Sequence, residues 1–322
     1  MGDGLRSLAS GGGHVPVAVI GRSEVDESVH FGTAVALDAG RTVVYAAGDP
    51  DIGIYPRSAL KPLQASAMVA NGLELPLEQL AVVAASHDGT DRHCDMVRKV
   101  LKGAGLSETA LRNVASMPYD ERTAASFLLA GGGPTPIRMN CSGKHAGMLA
   151  TCVANGWSTE DYLDCDHPVQ RAITAEIDLR ALGVAHVGTD GCGAPTHVVG
   201  LANLARGFAG LAAEHHAVYA AMTAHPEMLA GANRDVTLLM RGIPGLMVKD
   251  GAEGVCVAAF PDGRALAVKI ADGAGRAVPV VMLALLERLG VDTSAVPARI
   301  SHPVLGRGRQ IGRLRSVLPD SR

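Results

Sequence analysis

Ser58 and Lys61 stand three residues apart in Arg57-Ser58-Ala59-Leu60-Lys61-Pro62, one helical turn, so in a helix they share a face. An amine that burial keeps neutral can take a proton from a neighbouring hydroxyl, which makes a nucleophile–base pair. The start of a helix here would also favour negative charge on the serine oxygen. The plainer reading makes Ser58 a helix cap and Lys61 a solvated residue. A second serine, Ser86 in Ser86-His87-Asp88-Gly89, follows the apolar run 80–85 and would emerge from a buried element into a turn. Asp88, in that same turn, reads equally well as the cap of the next helix. Two lysines could project an amine from a strand into a cleft: Lys249 in Val248-Lys249-Asp250-Gly251, and Lys269 in Lys269-Ile270-Ala271-Asp272-Gly273. Residue types alone do not choose between them.

Two further stretches carry softer donors. Asn140-Cys141-Ser142-Gly143-Lys144-His145 has the Gly-Lys of a phosphate loop, but Arg138 occupies the upstream glycine position and His145 replaces the required Ser or Thr. Gly188-Thr189-Asp190-Gly191-Cys192-Gly193 is a glycine-dense turn with one acid and one thiol. Cys141 and Cys192 lie in polar, glycine-rich segments, unlike Cys152 in its apolar run. Two thiolates with one N or O donor would make a zinc site with an open position. The six cysteines, which also include Cys94, Cys165 and Cys256, show no short paired spacing, so a disulfide framework is not expected and most are expected to be small buried hydrophobes.

The elements that must hold these groups follow from periodicity. Runs 15–20, 30–37 and 41–47 read as strands; helical periodicity then dominates 58–100 and returns at 146–154, 169–182, 198–213 and 217–225. Strands at 245–248, 254–260 and 265–270 and a helix over 276–289 complete the chain. Strands at both ends with helices between them predict an α+β fold, with an antiparallel sheet packed against a central helical lobe and the site in the cleft between them. The expected organisation is a flexible tail over 1–13, one discontinuous catalytic domain over 14–300 and a basic C-terminal tail over 301–322. Within that domain the sheet lobe takes 14–57 and 242–290 and the helical lobe 58–241. The 322 residues are 48% hydrophobic, enough for a large core, yet only 3% aromatic, which leaves little for base stacking; with a net charge of −3, a small-molecule partner is favoured over nucleic acid. No apolar run is long enough for a membrane span, and no signal segment opens the chain, so a cytoplasmic location is expected.

Taken together, these stretches resemble the L-asparaginase II family, whose fold is related to serine β-lactamases and glutaminases. The likeness runs from Val15 to about Leu289. It is carried by the motifs above together with Asp91-Arg92-His93, His167-Pro168 and His225-Pro226-Glu227-Met228, in the family's order. The resemblance implies hydrolysis of L-asparagine to L-aspartate and ammonia by two serine–lysine pairs, Ser58 with Lys61 and Ser86 with Lys249. It prefers Lys249 to Lys269, because Lys249-Asp250-Gly251-Ala252-Glu253-Gly254 matches the family's motif. It further implies one zinc held by Cys141, Lys144 and Cys192, and a homodimer. Arg57, His145 and Asp190 are candidates for substrate contact. A glutaminase or related amidase, or a non-catalytic amino-acid or zinc sensor, is the alternative on the same fold. The arginines of 306–315 do not match the family well and read as a solvated tail.

Overall fold

The computed structural model describes residues 13–320; the tail expected over 1–13 lies, except for Gly13, outside the described residues. Eight strands form one antiparallel sheet. They are β1 (Val15–Arg22), β2 (Val25–Leu37), β3 (Val43–Ala47), β7 (Met247–Gly251), β8 (Val255–Ala259), β9 (Ala265–Ile270), β10 (Pro303–Gly306) and β11 (Arg309–Ser316). The order is β10-β11-β1-β2-β9-β8-β7, and β3 pairs with the second half of β2. Every residue of β8 and β9 is buried, so both faces of the sheet centre are covered, and the strands read as continuous apolar runs rather than alternating ones. Helices α7 (Leu201–Ala213) and α11 (Val278–Arg288) pack on them. This is the expected α+β arrangement.

The sheet also contains residues expected to be a solvated tail. β11 pairs with β1 from Ala18↔Ser316 to Arg22↔Gly312, and β10 closes a hairpin on it. The alternation in Arg309-Gln310-Ile311-Gly312-Arg313-Leu314-Arg315-Ser316 explains the correction. Arg309, Arg313 and Arg315 are exposed while Leu314 is buried. Charge on one face of a strand resembles a solvated segment when only charge is counted.

Between the strands lie α1 (Lys61–Ala70), α2 (Leu77–Val83), α3 (Asp91–Gly103), α4 (Glu121–Leu129), α5 (Ser142–Ala154), α6 (Pro168–Arg180), α8 (Ala217–Ala224), α9 (Pro226–Leu229) and α10 (Asp235–Gly242). The helical stretch expected over 58–100 is divided by Gly72, in the left-handed region at φ +84°, and by Pro76 ahead of α2. The expected helix 198–213 loses its first turn to a strand. A small sheet of β4 (Gly53–Ile54), β6 (Pro195–Gly200) and β5 (His186–Thr189) sits beside the main one and was not foreseen. Among the described residues no helix is long and apolar enough to cross a membrane.

One contact sets the spacing of the helical half. A Cβ on Gly143 would stand 2.0 Å from the carbonyl oxygen of Val82, and one on Gly147 would stand 2.5 Å from a Val83 methyl. The two glycines let α5 lie directly on the end of α2, which fixes the turn after α2 relative to the start of α5. Gly143→Ala is therefore expected to destabilise the protein by about 1–3 kcal/mol. Gly103→Ala, at a helix end with nothing within 4 Å, is expected to be neutral or slightly stabilising. Urea unfolding of both variants checks the pair.

Candidate functional site

Chain segments from both halves meet at the turn that carries Ser58. Arg57 to Leu60 form a single 3-10 turn leading into α1, and Arg57 holds φ +53°, an uncommon conformation for a residue with a side chain. The edge strand β7 lies against this turn so closely that a Cβ on Gly251 would fall 2.2 Å from the Pro56 carbonyl oxygen. The glycine of Lys249-Asp250-Gly251 thus admits the serine turn to the strand edge, two residues from Lys249. Ser58 does not cap α1, which has no side-chain cap, and among the described residues its half-buried hydroxyl has no hydrogen-bond partner.

Lys61 is buried, with its amine 2.6 Å from the Ala85 carbonyl, 3.1 Å from the Ser86 hydroxyl and 3.4 Å from the Asn140 carbonyl. The structure therefore joins Lys61 to Ser86, where the sequence had paired it with Ser58. The Lys249 amine, also fully buried, donates instead to its neighbour Asp250, at 2.7 Å to the carbonyl and 2.5 Å to Oδ1. Burial pushes Lys249 down to about 8, against the pull of Asp250 and with help from the charge of Lys61. Lys269 is buried elsewhere on the sheet and donates to the Glu253 carbonyl.

On the other side of the serine turn, the Arg57 guanidinium meets Asp190 at 2.6 Å. Burial alone would raise the Asp190 carboxyl, but Lys144 and Arg57 outweigh it and hold it below its usual range. Arg57 also lines an open cavity of about 610 Å³ with Tyr55, Thr189, Thr196, Glu253 and Lys269. His145 faces no such space. It is fully buried, its Nδ1 takes the Tyr162 hydroxyl at 2.9 Å, and burial with the charges of Lys144 and Lys61 keeps it neutral. The structure assigns it to the wall behind the site, not to a surface that a substrate reaches.

Cys141, Lys144 and Cys192 come together. The Lys144 amine lies 3.3 Å from the Cys192 sulfur, the Cys141 thiol donates to Asn140 Oδ1 at 3.1 Å and interacts with Cys192, and all three residues are buried. That interaction with Cys192, with the charges of Lys61 and Lys144, overcomes burial and drives the Cys141 thiol well below its ordinary value. Burial instead pushes the Cys94 thiol up to about 11 and that of Cys152 up to about 12. All six cysteines are free. Two sulfurs and an amine converging in one buried place form a donor set that could hold a metal ion.

Three charged groups, Asp88, Arg234 and Asp250, complete the constellation, and sequence reasoning missed how they work together. Thr90, rather than Asp88, caps α3, which frees Asp88 to meet Arg234 Nη1 at 2.9 Å. Arg234 Nη2 reaches Asp250 Oδ2 at 2.7 Å, and the guanidinium lies over the Tyr119 ring at 4.6 Å. The segment Gly231-Ala232-Asn233-Arg234-Asp235 gives no periodic or motif signal that would have singled out Arg234. His87 was passed over as well. Its Nδ1 accepts the Gly89 N–H, so Nε2 carries the proton and donates to Ser142 Oγ at 2.9 Å, tying the Ser86 turn to α5.

A serine hydroxyl bonded to one buried amine, with a second buried amine nearby, brings a nucleophile and proton-accepting groups together in one place. A family model described as L-asparaginase II matches residues 18–316. The chain belongs to that family and is an amidohydrolase of the L-asparaginase type. The match extends through the C-terminal strands. No curated relative matches the sequence. Among solved structures the chain is similar to a β-lactamase from Mycobacterium bovis, at 17% identity over 88% of this chain and 98% of that one, with a TM-score of 0.40. It is also similar to Mglu, at 13% identity over 83% of this chain and 69% of that one, with a TM-score of 0.39. Both likenesses are distant, and the fold class rests on the sheet order itself.

The wall behind the site depends on one hydroxyl. The Tyr162 hydroxyl pairs with His145 Nδ1 at 2.9 Å and accepts the Arg112 N–H at 3.0 Å. Tyr162→Phe leaves both unpaired and is expected to cost about 1–3 kcal/mol in a denaturant melt.

Proposed function

We propose that the chain hydrolyses the side-chain amide of L-asparagine through a serine acyl-enzyme, with Ser58 as nucleophile. The observation that carries this reading is the Lys61 amine 3.1 Å from Ser86 Oγ, one turn after Ser58 and beside the buried Lys249. The Lys249 amine, which burial holds at about 8, is neutral near and above that pH and can accept the Ser58 proton as its oxygen attacks the side-chain carbonyl. Lys61 donates to the Ser86 oxygen, which leaves the Ser86 hydroxyl free to give its own proton to the departing nitrogen. Ammonia leaves, water adds to the acyl-enzyme, and aspartate is released with Ser58 restored. The Arg57–Asp190 pair offers a cation for the substrate carboxylate and an anion for its ammonium. His145 supports the wall.

The donor set fits zinc. Cys141 and Cys192 offer soft sulfur ligands, one of them already biased to the thiolate, and Lys144 offers nitrogen if its amine is neutral. Burial works in that direction, although the two thiols and Asp190 outweigh it and raise Lys144 above its usual range. A bound zinc would supply positive charge beside Asp190 and the Ser58 turn. The family also supports a small-molecule substrate; a homodimer is part of the proposed reading and is checked by sedimentation equilibrium of the purified chain.

Ammonia release from L-asparagine, measured beside L-glutamine, tests the reaction. Turnover of asparagine is expected; no turnover of either amide by folded, zinc-loaded protein overturns the reading. Ser58→Ala and Lys61→Met are each expected to lower kcat by roughly 10⁴-fold with the fold intact. The acid limb of kcat/KM should rise through a midpoint near pH 8, because the free base is the amine that burial holds at about 8. A profile flat from pH 6 to 9 assigns the base to another group. Cys192→Ala should abolish stoichiometric zinc in metal analysis, and equal zinc in variant and wild type sinks the metal assignment.

A further inference from the structure

Arg234 spans the two segments carrying Ser86 and Lys249. Its two terminal nitrogens end on different carboxylates: Nη1 on Asp88, two residues after Ser86, and Nη2 on Asp250, directly after Lys249. The Tyr119 ring covers the guanidinium plane, and the side chain is about three-quarters buried. The Asp250 carboxylate is divided as a result. One oxygen faces Arg234 at 2.7 Å and the other faces the Lys249 amine at 2.5 Å.

An undivided carboxylate would give both oxygens and its whole charge to a buried ammonium, and a lysine so paired does not easily surrender a proton. Here the guanidinium takes half of the carboxylate and adds its own repulsion. We propose that Arg234 is a positioning residue that prevents Asp250 from capturing Lys249, so that the amine remains available to exchange a proton within the serine–lysine site. The proposal rests on the acyl-transfer reading for its functional meaning, but the division of Asp250 is a statement about the folded protein alone.

Four titratable groups act on Lys249 among the described residues. Asp250 lies on its own strand, Lys61 on α1, Arg234 just ahead of α10 and the Cys256 thiol on β8. Asp250 is the only acid among them. It is held well below the usual carboxylate range, since the charges of Lys249 and Arg234 outweigh its burial. Removing the Arg234 charge therefore acts on Lys249 twice, through lost repulsion and through a carboxylate no longer shared, and both effects favour the ammonium.

The chain has six lysines, few enough for a titration of Cε chemical shifts in protein labelled with ¹³C-lysine, with Lys249→Met assigning the resonance. In Arg234→Gln the Lys249 midpoint is expected to move up by about half a pH unit or more, and in Arg234→Lys, which keeps a cation, to return most of the way. The acid limb of kcat/KM should move by the same amount, with activity recovering at high pH. An unchanged Lys249 midpoint in folded Arg234→Gln overturns the proposal, as does a rate lowered equally at every pH, which is what a structural tie alone would produce. Should Arg234→Gln not fold, Asp250→Asn gives the second arm. It removes the carboxylate while keeping Arg234, and a Lys249 midpoint that fails to fall refutes the division of charge. The NMR titration needs no turnover, so its failure is distinct from failure of the asparaginase reading.

Discussion

The rest of the site depends on the burial of two lysine amines, Lys61 and Lys249, where the sheet edge meets the helices. Taking an ammonium out of water costs several kcal/mol even after relaxation. The surroundings answer that cost differently for each. Lys61 is given three oxygen acceptors, two of them backbone carbonyls that cannot themselves ionise. Lys249 is given a carboxylate that it must share with Arg234. Two chemically identical side chains thus sit among different partners, and burial pushes the Lys249 amine down to about 8.

Glycines set the distances at which this works. Gly251 lets the 3-10 turn of Ser58 touch the edge of β7, and Gly143 lets α5 touch the end of α2, so the four chain segments that carry the polar groups approach to backbone contact. The same packing brings Cys141 and Lys144, at the start of α5, to Cys192, in the turn ahead of β6. A side chain at either glycine would separate groups that must lie within hydrogen-bond reach. The constraint is steric, and the electrostatics follow from it.

Much of this was legible in the sequence because motif and period coincide. The strands at both ends and the helices between them follow from apolar spacing, and Ser58, Lys61, Ser86 and Lys249 stand in stretches whose order identifies the family. What was not legible has a physical cause in each instance. The β10–β11 hairpin alternates arginine with small or apolar residues, and the charge obscured the alternation. Residues 198–200 are apolar in a manner that suits a helix or a buried strand, and their partners in β4 and β5 are distant in sequence. The pairing of Lys61 with Ser86 depends on how α1 and the turn after α2 pack, which spacing along one helix cannot express.

Arg234 shows the limit most clearly, because its role resides in partners 146 and 16 positions away and in no local pattern. A motif records which side chains take part in bond making. It does not record which charges decide how those side chains are protonated, since such charges can arrive from any segment that packs nearby. For a site built on lysine this second set matters as much as the first, because an amine is a base only when its surroundings let it be neutral. Asp250 illustrates the point from within a motif, because one of its oxygens meets Lys249 and the other meets Arg234, from a segment the motif does not include.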